Sequence, residues 1–138
     1  MTLKFETEHN LFNKNLSKTS VQKITSTKIK EFYENIEHNL YTFCLRGSGN
    51  FSVRFYETLM MGRIPVLIDT DVRLPLLHEV NWNAHCVICN ESNFIKKITD
   101  FHNNHSDEEL KDIQIKNRAL ALNELNRQNY FISISKII

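Results

Sequence analysis

Residues 41–68 read YTFCLRGSGNFSVRFYETLMMGRIPVLI, and the order of side chains in this stretch decides the fold. The run 41–45 is short and mostly apolar, as suits a buried strand. It gives way at once to Arg46, Gly47, Ser48, Gly49 and Asn50, which force a turn. Ser52 then stands where a helix N-cap belongs, a helix is predicted over 53–61, and Gly62 occupies the place of a left-handed C-cap residue. Residues 64–68 complete the unit as a continuous apolar run with Pro65 near its start, the pattern of a parallel strand covered on both faces.

Upstream, Ile29, Phe32, Tyr33 and Ile36 recur at helical spacing and predict an amphipathic helix over 21–38. Residues 1–20 are polar and without sustained periodicity, and read as an arm preceding a domain that spans 21–138. Downstream, a third apolar run at 86–89 is followed by helices predicted at 93–103 and from 107 to about 128. The second is opened by the capping-box pair Ser106 and Glu109. The tail FISISKII is too short to place. Strands that alternate with helices imply an α/β fold, here a three-layer Rossmann-like domain in which helices flank a small parallel sheet joined by right-handed crossovers. Ligands of such sheets bind beyond the carboxyl ends of the strands, which directs attention to the step from Leu45 to Arg46.

Composition removes several classes. With 138 residues the chain suits one domain, and 41% hydrophobic and 24% charged residues match an ordinary globular protein rather than a disordered or fibrous one. Lys and Arg number 17 against 16 Asp and Glu, and the lysines are scattered, so no basic stripe for nucleic acid exists. No apolar run reaches the roughly 18 to 20 residues of a membrane span. Residues 1–10 lack the order of a secretory signal, so a cytoplasmic location is expected. Cys44, Cys86 and Cys89 are too few for a disulfide framework. Cys86 and Cys89 form a CxxC, but on a strand positions i and i+3 point to opposite faces, so buried thiols are expected there rather than a zinc or redox site.

All three glycines, Gly47, Gly49 and Gly62, fall within sixteen residues around one short helix. A Gly-Ser-Gly turn between a strand end and a helix start lets backbone N–H groups approach an anion, and the helix N-terminus adds about half a positive charge. A diphosphate would suit such a turn, and Arg46 at its mouth could contact phosphate oxygens in bidentate fashion. The turn satisfies neither the Walker pattern nor GxGxxG, and the glycines directly beside Ser48 depart from the hydrolase elbow GxSxG. On spacing alone an anion site and a tight structural turn both stay open. Glu57, about 7 to 8 Å along the helix from Ser52, is placed to reach a ribose whose diphosphate rests on the helix end. The competing reading is a solvated i,i+3 pair between Arg54 and Glu57.

Taken as one string, residues 43–82, FCLRGSGNFSVRFYETLMMGRIPVLIDTDVRLPLLHEVNW, resemble the carboxyl-terminal signature of the exostosin-type glycosyltransferases. Phe43, Cys44, Leu45, Ser52, Arg54, Phe55, Glu57, Leu59, Gly62, Ile64, Pro65, Val66, Leu74, Pro75 and Trp82 carry that resemblance. It implies one half of a two-domain GT-B enzyme, the half that binds a nucleotide sugar, UDP-linked, whose sugar is transferred to a saccharide acceptor. The resemblance assigns Arg46, Gly47, Ser48, Gly49 and Asn50 to the diphosphate, with Ser52 opening the helix. It gives Arg54 and Glu57 the nucleoside side, Glu57 on the ribose. It implies no cofactor and no metal, because GT-B enzymes offset the leaving diphosphate with basic side chains and helix dipoles.

Three features qualify the resemblance. Arg63 replaces the cysteine common after the glycine, the glycine loop is shorter than many, and no amino-terminal half to bind the acceptor and supply a catalytic base is recognisable. A separate acceptor-binding domain or chain is therefore expected, and a noncatalytic nucleotide-sugar or saccharide-binding module is the alternative. Asp69 and Asp71 form a DxD that reads as a strand end and turn at the cleft. His78 and His85 lie close in sequence to Trp82 but read as structural.

Overall fold

The structure, a computed structural model, describes residues 18–69 and 71–136. Most of the arm expected over 1–20 therefore lies outside the described residues. The chain divides into two compact units, Met1–Tyr33 and Glu34–Ile138. In the first, the described part belongs to α1 (Lys18–Glu37), with Ile24 and Ile29 exposed and Phe32 set edge-on to Tyr33 at a ring separation of 5.1 Å.

The second unit is mixed α/β. Its sheet holds β1 (Tyr41–Cys44), β2 (Ile64–Ile68) and β3 (Val87–Cys89), in that spatial order and all parallel. Tyr41 pairs with Ile64, and Val66 pairs with Val87. Helix α2 (Val53–Met60) connects β1 to β2, while α3 (Phe94–Asn103), α4 (Asp107–Asn123) and α5 (Arg127–Ser135) follow β3. Among the described residues, the link from β2 to β3 holds a 3₁₀ turn, Trp82–Ala84, and no α-helix, where the alternating pattern predicts helices between strands. Asp71 and Leu76, at φ 60° and 51°, and Pro75 between them break up any helix there.

Period-two alternation sorts the core into two clusters, one on each face of the sheet. Cys44 and Leu67 point to one face, where they pack with Phe55 and Leu59 of α2, Leu74, Trp82, Cys86 and the later part of α4. Ile64, Val66, Ile68, Val87 and Cys89 point to the other, against Ile98 of α3 and Leu110 and Ile113 of α4. Every residue of β2 is buried, as its unbroken apolar run requires of the central strand. Each large side chain so buried contributes about 1.5–3 kcal/mol over its exposed state.

The end of α2 follows its sequence closely. Gly62, at φ 64°, donates to the Leu59 carbonyl at 2.9 Å, and Arg63 N–H donates to Thr58 O at 3.0 Å. That pair of bonds is a Schellman closure. A Cβ on Gly62 would also stand 3.2 Å from the Gln114 carbonyl of α4, so glycine is demanded twice. Arg63 has its own function here: Nε and Nη2 both donate to the Glu37 carbonyl, at 3.2 and 2.8 Å, closing the end of α1, and Nη1 donates to Gln114 Oε1 at 3.1 Å.

The helix predicted from 107 to about 128 is two helices. Ser106 and Glu109 form the expected capping box at the start of α4. At the other end Asn126, in extended conformation, accepts from Asn129 N–H and so opens α5, while its amide donates to the carbonyls of Leu122 and Asn123. One asparagine thus ends one helix and begins the next, and most of the tail FISISKII is helical.

Candidate functional site

The glycine loop lies at the carboxyl end of β1, and its shape comes from three hydrogen bonds. Gly47 N–H donates to the Phe51 carbonyl at 3.0 Å, closing the turn on itself. Asn50 Nδ2 donates to the Asp71 carbonyl at 3.0 Å, and Asp71 N–H donates to Asp69 Oδ1 at 3.0 Å. The loop after β1 is therefore tied to the segment after β2, and both strand ends open on one edge of the sheet. The two loop glycines differ. A Cβ on Gly49 would stand 2.9 Å from the Phe51 ring, whereas one on Gly47 would meet nothing nearer than the Phe51 carbonyl at 3.9 Å. Packing thus accounts for Gly49 and leaves room for a side chain at Gly47.

Arg46, Gly47, Ser48 and Asn50 are exposed, Gly49 is half-buried and Ser52 is buried. Ser52 has the extended backbone of an N-cap, but its side chain makes no capping bond. The starts of α4 and α5 are capped by side chains, while α2 and α3 begin without one. An α-helix leaves its first N–H groups without intrahelical partners. At the start of α2 the Ser52 carbonyl, not its side chain, meets one of them, accepting from Phe55 N–H at 3.2 Å.

Arg54 and Glu57 stand half-buried on the first turns of α2. Both charges are felt at the Cys44 thiol, at the end of β1: burial pushes that thiol up to about 12, Thr58 and Arg54 draw it down, and Glu57 raises it. The loop and the start of α2 follow one another at this strand end, with Arg54 and Glu57 on the helix's first turns. Most other members of the 43–82 pattern are packing residues. Cys44, Phe55, Leu59, Leu74 and Trp82 share one core cluster. The Trp82 indole donates to the Pro75 carbonyl at 2.8 Å and its ring lies 5.4 Å from that of Phe55.

The remaining candidates fall to structural positions. Cys86 and Cys89 belong to the two different core clusters, on opposite faces of the sheet, as strand geometry predicts. Burial pushes the Cys86 thiol up to about 12 and raises that of Cys89. Asp69 directly follows the end of β2 and Asp71 turns away from it in the left-handed region, as expected of that pair. Among the described residues no three His, Cys, Asp or Glu side chains converge on a metal position. His78 is exposed, and His85 Nδ1 bonds Asn117 Oδ1 at 2.8 Å.

Asn117 is a residue that sequence reasoning passes over. It is fully buried in α4, and its Nδ2 donates to the carbonyls of Arg63, at 2.9 Å, and His85, at 2.8 Å. With both amide hydrogens used, Oδ1 must accept, so His85 carries its proton on Nδ1. The available signal was position: Asn117 interrupts the apolar face formed by Ile113, Leu120 and Ala121.

Two clefts open beside the connection from β2 to β3. One, of about 340 Å³, lies beside His85, Glu79 and Glu124; the other, of about 320 Å³, lies at the ends of β2 and β3 beside Asp69. Neither is lined by the glycine loop, Arg54 or Glu57. Among the described residues no helix is long and apolar enough to cross a membrane. No protein-family model matches the chain, and none of the curated proteins compared with it does.

Proposed function

We propose that the chain is the nucleotide-sugar-binding half of an exostosin-type glycosyltransferase, a Rossmann-like domain of GT-B architecture. The observation that carries the reading is an exposed glycine loop at the carboxyl end of β1 that leads into a helix start whose N-cap side chain makes no bond, with Arg54 and Glu57 half-buried on the first turns of that helix. In this reading the loop Arg46–Asn50 and the first N–H groups of α2 hold the diphosphate, which the helix end stabilises through its dipole. Arg46 adds charge-assisted bonds to phosphate oxygens. Glu57 accepts the ribose hydroxyls and Arg54 sits on the nucleoside side. Phe55, Leu59, Leu74 and Trp82 are packing residues of one core cluster.

Chemically, the chain binds and orients the donor and stabilises the charge that grows on the diphosphate as the glycosidic bond breaks. The saccharide acceptor and the base that takes its proton belong to a second domain or chain. No metal or cofactor is required in this scheme.

Calorimetric titration with UDP and GDP tests it. Saturable binding of a nucleoside diphosphate is expected, weakened at least about tenfold in Glu57→Ala, which corresponds to about 1.4 kcal/mol. Absence of binding by either nucleotide would contradict the reading.

A further inference from the structure

The cleft beyond the ends of β2 and β3 has a chemistry unlike that of the glycine loop. Leu67 of β2, Ile88 of β3 and Trp82 supply apolar wall, and Asp69, Asn81 and Asn83 supply the polar groups. No lysine or arginine lines it. Its volume of about 320 Å³ lies at the lower end of the roughly 300–1,000 Å³ that hold small ligands, room for one ring rather than a chain of them.

Each lining group suits a neutral, hydroxylated ring. A carboxylate accepts several hydroxyl hydrogen bonds, side-chain amides both donate and accept, and apolar wall receives the C–H faces of the ring. Asp69 is fixed for this by the bond from Asp71 N–H to its Oδ1. A phosphate or carboxylate placed here would meet the Asp69 charge with no cation in the lining to offset it.

The cleft also stands in the right relation to the loop. Asn50 donates to the Asp71 carbonyl, and Asp71 N–H holds Asp69, so the loop after β1 and the cleft wall after β2 are joined through two hydrogen bonds. Neighbouring strands lie about 4.8 Å apart, which is the scale of adjacent groups in one nucleotide sugar. We infer that this cleft seats the sugar ring of the donor, a neutral pyranose, and that Asp69 selects neutral sugars over acidic ones. The inference rests on the donor-binding reading above.

Binding of UDP, UDP-glucose, UDP-galactose, UDP-N-acetylglucosamine and UDP-glucuronate to the full chain tests it by calorimetry. At least one neutral nucleotide sugar is expected to bind fivefold or more tighter than UDP, and tenfold or more tighter than UDP-glucuronate. Asp69→Asn keeps the shape and the Oδ1 acceptor while removing the charge, and is expected to reduce the preference over UDP-glucuronate to threefold or less. Asn83→Ala is expected to lower the advantage of the neutral sugar over UDP without admitting UDP-glucuronate. A chain that binds UDP but gains nothing from any neutral sugar, or whose preference survives Asp69→Asn, overturns this inference alone. A chain that binds none of the five overturns the donor-binding reading and this inference with it.

Discussion

At Asn117 a single buried amide joins helix α4 to the start of β2 and to the residue before Cys86, through the Arg63 and His85 carbonyls and the His85 ring. Removing it leaves those part-buried groups without their partner, at a cost of up to about 1–3 kcal/mol each. Asn117→Ala is therefore expected to lower stability by about 3 kcal/mol in urea unfolding, and a loss under about 1 kcal/mol would contradict the account. The position could be noticed in the sequence because it interrupts an apolar face. Its partners could not, since Arg63 lies 54 residues away and no local pattern specifies the pairing. The candidate site shows the same limit. Arg46 to Asn50, Arg54 and Glu57 could be named from residue type and spacing, but the tie from Asn50 to Asp71, the closure of the turn by Gly47, and the inward burial of Ser52 depend on contacts that spacing does not encode.

Among the elements, α2 and β2 match their sequence signals within a residue because their punctuation is local: Gly62 must adopt φ 64°, and the apolar run after it is unbroken. The start of α4 is equally local. Ser106 Oγ accepts from Glu109 N–H at 3.2 Å, and Glu109 Oε2 accepts from Ser106 N–H at 2.7 Å. Ser106→Ala should cost about 1 kcal/mol at neutral pH. The bonds from the Ser106 backbone and hydroxyl hold the Glu109 carboxyl below its ordinary 4.5. A depressed folded value means stability that is present above 4.5 and lost as pH falls through the lowered value. The gap in urea midpoint between Ser106→Ala and the parent chain should therefore narrow once pH drops below 4.5, and a gap that widened would contradict the capping box. The end of α4 was not legible in the same way. Leu122 to Gln128 carries no glycine or proline, and Asn126 ends one helix and starts another only by bonding in both directions at once.

For the molecule as a whole, burying Cys44, Cys86 and Cys89 in two clusters on opposite sheet faces makes their protonation a global property. Burial pushes the Cys44 and Cys86 thiols up from 9.0 to about 12. In the unfolded chain they ionise near 9, so between pH 9 and 12 the unfolded state sheds protons that the folded state keeps, and stability must fall as pH rises through that window. Urea midpoints measured across it should decline, more shallowly in Cys44→Ala or Cys86→Ala once each variant's lower starting stability is allowed for. A decline of the same steepness in these variants would contradict the assignment. Strand order and the absence of an α-helix between β2 and β3 were beyond the sequence, because the 69–86 connection is held by Trp82 reaching back to Pro75 and by contacts with α2 and α4. The claim that the carboxyl end of β1 is a nucleotide site is tested most directly by following backbone amide resonances during titration with UDP. Saturable shifts concentrated in residues 46–57 and at Asp69 to Val72 are expected. Shifts absent at saturating nucleotide, or concentrated away from that edge of the sheet, would contradict it.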